Sequence, residues 1–163
     1  MKDKKILTVC YSQRGHTELI AKQIHSIAGG DIYGIKLQKP YGKNYFTALI
    51  SGGFDILTGK RPEISNKTDI SGYDIIFAGG PVWFMTVAPA LMSFLNGNDF
   101  SGKILIPFCT SGGNEGNFFK NFEKNSNGAK VMRGIGFTGK DFKNPNELKN
   151  KLDEWILTIG KQI

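Results

Sequence analysis

Five short β-rich runs alternate with helix-like stretches along this 163-residue chain, and that alternation limits the fold more than any other feature. Ile6-Leu7-Thr8-Val9-Cys10-Tyr11 is an unbroken run of the kind that forms a strand buried on both faces. From Thr17 to Ala28 the period changes. Ile20, Ile24, Ile27 and Ala28 fall on one helical face, and Gly29-Gly30 closes the segment. Residues 31–37 read as a second strand, ending before Pro40. A helix from Lys43 to Leu57 follows, interrupted in its pattern by Gly52-Gly53, and residues 59–71 read as loop. Residues 73–78 then predict the third strand, 87–95 a helix, 103–109 the fourth strand, 116–124 a short helix and 130–137 the fifth strand. The closing helix spans 144–159, with Pro145 in its first turn and Leu148, Leu152, Trp155, Ile156 and Ile159 on one face. Alternation of this kind predicts the α/β class: a parallel sheet with helices on both faces. No repeat, linker or low-complexity segment divides the chain, so one domain over residues 1–163 is expected.

Composition narrows the function classes. The formal charge is +7, yet the lysines are scattered and no run of five or six cations occurs. That is the pattern of a solvated cationic surface, and nucleic acid is not expected as a partner. The apolar stretch from Tyr73 to Leu95 is broken by Gly79-Gly80-Pro81 and Pro89, so no membrane span is expected. Met1-Lys2-Asp3-Lys4-Lys5 leads into a strand without a cleavage site, and two cysteines make no disulfide framework; the cytoplasm is the expected compartment. Cys10 and Cys109 lie at the ends of strands one and four, with strand three expected between them. Two strand spacings are roughly 9–10 Å, beyond disulfide reach, so both read as core thiols.

The chemistry of such a sheet lies beyond the carboxyl ends of its strands. Three strand-to-helix loops meet there. In "SQRGHT", residues 12–17, the chain leaves a buried strand and enters a helix N-terminus. Ser12 and Thr17 add hydroxyls and Gly15 lets the backbone turn; together with the free amides of a helix start they make an anion cradle. "GGPVWFMTVAP", residues 79–89, sets Trp83, Phe84 and Met85 where a polar loop is expected, and an aromatic there can stack on a flat heterocycle or plug the end of the core. "TSGGNEGN", residues 110–117, offers bare backbone donors and acceptors for a ring edge.

Taken together, these loops resemble those of the flavodoxin family, most closely its short flavodoxin-like bacterial branch. The similarity runs through nearly the whole chain and is strongest at "GGPVWFMTVAP" and at "DFSGKILIPFCTSGGNEGN", residues 99–117. It implies a flavodoxin-like five-stranded parallel sheet of order 2-1-3-4-5 and an FMN cofactor at the switch point, a general property of this sheet order. In the family a hydroxyl-x-Thr-Gly-x-Thr loop binds the FMN phosphate. Ser12, Gly15 and Thr17 match it and Arg14 replaces the middle Thr, exchanging a hydroxyl for a charge. The resemblance thus implies FMN contacts from Ser12, Gln13, Arg14, Gly15, His16 and Thr17. It implies further contacts, at the ring, from Pro81, Val82, Trp83 in the stacking position, Phe84 and Met85. The third loop adds Thr110, Ser111, Gly112, Gly113 and Asn117. On this reading Trp83→Ala weakens cofactor binding and disturbs the apoprotein less.

The implied function is carriage of electrons between redox partner proteins, with the basic charge favouring a partner that has an acidic docking face. Tyr11-Ser12 followed by Gly15-His16 also resembles the first loop of flavin-dependent quinone reductases of the same fold. An NAD(P)H-dependent FMN oxidoreductase acting on a quinone is therefore the alternative, and a binding module without flavin a third; monomer and homodimer stay open. No catalytic residue is assigned: His16 reads as a loop or cap residue and His25 as a helix residue without a metal partner. "GGFDILTGKR" lacks the Walker spacing and a preceding strand, the acidic residues of a receiver domain are missing, and no Gly-x-Ser-x-Gly elbow occurs.

Overall fold

The computed structural model of the chain describes residues 3–42 and 44–163. Its strands are β1 (Ile6–Cys10), β2 (Asp31–Gly34), β3 (Ile75–Trp83), β4 (Thr86–Val87), β5 (Ile104–Ser111), β6 (Lys130–Val131) and β7 (Ile135–Thr138). The helices are α1 (His16–Ala28), α2 (Tyr45–Thr58), α3 (Pro89–Asn96), α4 (Phe118–Lys124) and α5 (Pro145–Gly160), with a 3-10 turn at Asp141–Lys143 before α5. Parallel pairing runs in the order β2-β1-β3-β5-β6, with β7 also parallel on β5 and β4 folded back antiparallel on β3. Taking β6 and β7 as one broken edge strand, this is the expected 2-1-3-4-5 order.

Alternation along the strands sorts side chains into two layers. Leu7, Val9, Ile76, Ala78, Leu105 and Cys109 face α3 and α4, represented by Leu91, Phe94, Phe118 and Phe122, and meet Ala48 of α2. Ile6, Cys10, Ile75, Phe77, Ile106 and Phe108 face α1 and α5, represented by Ile20, Ile24, Leu148, Leu152 and Ile156. Cys10 and Cys109 therefore point into opposite layers, and both are free and buried. Burial pushes the Cys10 thiol up to about 12 and raises that of Cys109 as well, so neither is a nucleophile at neutral pH.

Several element boundaries differ from the sequence expectation. The third strand does not stop at residue 78. Gly79, Gly80 and Pro81 stay in register with Phe108, Cys109 and Thr110, and β3 runs on to Trp83. Gly79 makes this possible, since a Cβ there would lie 2.4 Å from the Phe108 ring. Pro81 is tolerated because β1 has already ended, leaving β3 a neighbour on one side only. The fourth strand likewise extends to Ser111. The second is shorter than expected and ends at Gly34, after which Leu37 makes an isolated antiparallel bridge to Ile64. Helix α2 passes straight through Gly52-Gly53, capped by Asn44, whose side chain accepts from the Phe46 amide at 3.0 Å. The expected helix start at Lys43 lies outside the described residues, as do Met1 and Lys2. No described helix is long and apolar enough to cross a membrane.

Candidate functional site

The carboxyl ends of β1, β3 and β5 open into a cleft of about 230 Å³. Its first wall is the loop from β1 to α1. Here Gly15 has φ +88° and nothing within 4 Å of a would-be Cβ, so it is the left-handed backbone, not crowding, that calls for glycine. The Gly15 amide donates to Ser12 Oγ at 3.0 Å. Tyr11 OH donates to Gln13 Oε1 at 2.7 Å, and Gln13 Nε2 donates to the Gly42 carbonyl at 3.2 Å, tying this loop to the segment before α2. Thr17 is not the N-cap of α1. That place belongs to Gly15, and no side chain caps the helix, whereas Asn144 caps α5 and Asn44 caps α2. The Thr17 hydroxyl is instead 2.8 Å from the Thr110 hydroxyl, a buried bond that joins α1 to the end of β5.

The second wall is the end of β3. Pro81, Val82 and Trp83 line the cleft. Trp83 is only 1% exposed and belongs to the core as well as to the cleft wall. The Tyr41 and Tyr11 rings meet it edge-on at 5.2 and 6.0 Å. On another side lies α2, where a Cβ on Gly52 would fall 2.3 Å from the indole. Tyr41 OH donates to buried Asp55 Oδ2 at 2.7 Å. Burial first, then that carboxylate, raises the Tyr41 pKa, and burial raises that of Tyr11. Both phenols stay neutral. Phe84 and Met85 form the turn between β3 and β4 with φ +47° and +62°; both are exposed and neither is part of the cleft lining.

Thr110, Ser111 and Gly112 form the third wall. Ser111 Oγ is buried without a hydrogen-bond partner, an unmet polar group in the cleft lining. Gly113 and Asn117 stand outside the lining. The Asn117 amide donates to the Met85 carbonyl at 2.7 Å and Asn121 Nδ2 to Thr86 Oγ1 at 2.7 Å, so this segment props the turn at Phe84-Met85 instead. Of the first loop, Ser12, Gln13, Arg14, His16 and Thr17 line the cleft.

Two lining residues escape the sequence reading: Gly139 and Phe142, from the segment between β7 and α5. The Phe142 ring sits 4.8 Å from the His16 ring. Asp141 fixes that segment. Its Oδ2 accepts from the Thr138 amide and hydroxyl at 2.6 and 3.0 Å, and its Oδ1 accepts from Lys151 Nζ at 2.8 Å. The Thr138-x-x-Asp141 spacing is the sequence signal that points to such a turn. Among the described residues the lining carries Arg14 and His16 and no carboxylate, an electrostatic setting that suits an anion. No described group of His, Cys, Asp and Glu could hold a metal ion.

The flavodoxin family model matches residues 5–159. The chain belongs to the flavodoxin family. Its fold recurs in a Bacteroides uniformis protein assigned as a flavoprotein, with 26% identity, TM-score 0.81, and coverage of 95% of this chain and 99% of that one. A flavodoxin-family chain this distant is also similar in fold to a Lactobacillus acidophilus flavoprotein solved in complex with FMN. That pair shares 24% identity at TM-score 0.71, covering 86% and 97% of the two chains. The Fusobacterium nucleatum flavodoxin bound to FMN shares 12% at TM-score 0.59, covering 98% and 99%. No curated protein matches the sequence.

Proposed function

We propose that this chain is a single-domain FMN protein that carries electrons between larger redox partners in the cytoplasm. The cofactor is FMN. The observation that carries the reading is the cleft itself, whose lining joins an uncapped α1 N-terminus and hydroxyls to an apolar wall at Pro81, Val82 and Trp83 and includes an unmet buried Ser111 hydroxyl. That division suits a phosphate joined to a flat heterocycle. FMN, when bound, supplies one- and two-electron redox chemistry.

What the protein does is hold and orient. Ser12, Thr17, Arg14 and the first amides of α1 would take the phosphate; Gln13, His16 and Gly15 complete that loop. Pro81, Val82 and Trp83 would line one side of the ring, and Thr110, Ser111 and Gly112 its polar edge. Phe142 and Gly139 would close the lining on the side of His16. The neutral thiols and phenols around the cleft add no competing acid or base. Both cysteines stay reduced in this compartment. With a formal charge of +7 the surface steers toward partners with acidic docking faces, an effect that fades as salt rises.

The test is the ligand released by heat from purified protein, which is expected to have the mass of FMN. A colourless chain that does not take up added FMN would refute the reading in favour of a binding module without flavin. Steady-state NAD(P)H oxidation with a quinone present separates carrier from reductase, and a carrier shows negligible turnover.

A further inference from the structure

Helix α2 turns toward solvent the kind of face that helices ordinarily bury. Phe46, Ile50, Phe54 and Leu57 fall within roughly one quarter of the helix circumference. All four are 58–87% exposed. The other outward residues among those described in α2, Thr47, Ser51 and Thr58, are uncharged. The one carboxylate of α2, Asp55, turns inward to Tyr41. At its Gly53 edge the stripe meets the Phe84 ring, which would lie 2.8 Å from a Cβ there. Phe84 and Met85, 55% and 52% exposed, carry the apolar surface from α2 to the rim of the cleft. Single exposed apolar residues are ordinary on a soluble protein, and a contiguous band of six marks an interaction site.

We propose that this band is the interface of a symmetric homodimer, in which α2 packs against α2 of a second copy and the Phe84-Met85 turns lie at its margin. Area supports a second copy: six large side chains at these exposures offer roughly 600–700 Å² per copy, near the ~800 Å² per partner of a standard stable interface. Charge supports it too. A foreign partner recognising a basic chain does so through acidic groups set against Lys and Arg, and this band has neither to offer. Two copies that each carry +7 need a face on which like charges do not meet, and the outward face of α2 is one. A straight stripe on one helix is also self-complementary about a two-fold axis, with its ridges seated in the grooves of its mate. The proposal does not depend on the flavin reading, because none of the four stripe residues on α2 lines the cleft.

Light scattering on the full chain through the micromolar range, with and without added FMN, measures it. Wild type is expected at twice the chain mass in both conditions. Ile50→Glu buries two charges in the interface and is expected at the single-chain mass, with dimerisation weakened about a hundredfold or more. Ile50→Ser is milder and gives partial dissociation. Ile50 is exposed, so both variants keep the far-UV circular dichroism and the FMN affinity of wild type, which separates loss of the dimer from loss of the fold. Lys161→Glu, after α5 on the opposite side of the sheet, leaves the mass unchanged. A wild-type chain at single-chain mass throughout the range overturns the proposal, as does a dimer that neither Ile50 variant moves. Binding of a monomeric wild type to anionic phospholipid vesicles or to an acidic redox protein, lost in Ile50→Glu, also overturns it and names that occupant instead.

Discussion

The two ends of the cleft are built by different means. The anion end is local: residues 12–17 supply its hydroxyls, its turn and the helix start in one consecutive stretch. Its internal bond, Gly15 amide to Ser12 Oγ, spans three residues. The apolar end is assembled from distant segments. Trp83 reaches it on an extended β3 and is held there by Tyr11 from β1, Tyr41 from the loop after β2, and Gly52 of α2. A local site can lose a side chain and keep the fold. At the apolar end, site and core are the same atoms, and a substitution there acts on both.

The largest expected effect follows from that identity. Trp83→Ala removes an indole that is 1% exposed, and is expected to lower unfolding free energy by about 3–5 kcal/mol, read as a shift in the urea midpoint of the apoprotein. This reverses the expectation that Trp83 acts mainly on the cofactor. A loss below about 1 kcal/mol would break the comparison, because both ends would then be separable from the fold.

Gly52→Ala is a finer probe, since two effects compete. In a helix interior the exchange gains up to about 1 kcal/mol from backbone entropy. Here the new Cβ would sit 2.3 Å from the Trp83 ring, and overpacking costs about 1–3 kcal/mol. Overlap is expected to win, with a net loss of about 1–2 kcal/mol and weaker FMN binding. A stabilised Gly52→Ala variant would mean that the indole moves freely and the apolar end is not a rigid wall.

The same contrast explains what could be read from the chain. Strand order, layers and the anion loop follow from patterns within short windows: the buried runs, the change of period at Thr17, the hydroxyls around Gly15. Gly52-Gly53 reads as a break in α2 because local propensity is all a window contains; the rings of Trp83 and Phe84, thirty residues on, are what these glycines accommodate. The extension of β3 through Gly79-Gly80-Pro81 was hidden for the same reason, since it depends on Phe108 across the sheet. Phe142 carried no local sign of facing His16.

At the anion end the expected effects are smaller and divide by burial. Thr17→Val leaves the Thr110 hydroxyl without its partner in a buried place, and is expected to cost about 1–2 kcal/mol of stability. Ser12→Ala removes a half-buried hydroxyl and is expected to leave the urea midpoint within about 0.5 kcal/mol of wild type while weakening FMN binding about tenfold. If Ser12→Ala destabilises as much as Thr17→Val, the first loop is a structural element and not a separable cradle.

The smallest effect concerns the cover that Phe142 lays over this local end from far along the chain. Burial opposes ionisation of Asp141, but the hydrogen bonds from Lys151 and from the Thr138 amide and hydroxyl, with the Lys151 charge, outweigh it and hold the carboxyl below its ordinary value. A carboxylate with a depressed folded-state pKa stabilises the fold above the unfolded pKa of about 4, and that contribution is lost as pH falls through the folded value. Stability tied to this clamp is therefore full at neutral pH, begins to fall near pH 4 and is gone once the pH lies below the folded value. Asp69, Asp74 and Asp99 are depressed as well, mainly by hydrogen bonds from Ser71, Lys5 and Ser101, and give any variant a background slope in the same direction. Asp141→Asn isolates the clamp. It is expected to cost about 1 kcal/mol at neutral pH, and the gap from wild type is expected to shrink in urea titrations repeated near pH 3. FMN affinity at neutral pH should fall severalfold with it, because Gly139 and Phe142 then lose their fixed place over the cleft. A gap that stays constant with pH would show that Asp141 holds the turn by shape and not by charge. The cover would then belong with the apolar end, where packing alone sets the site.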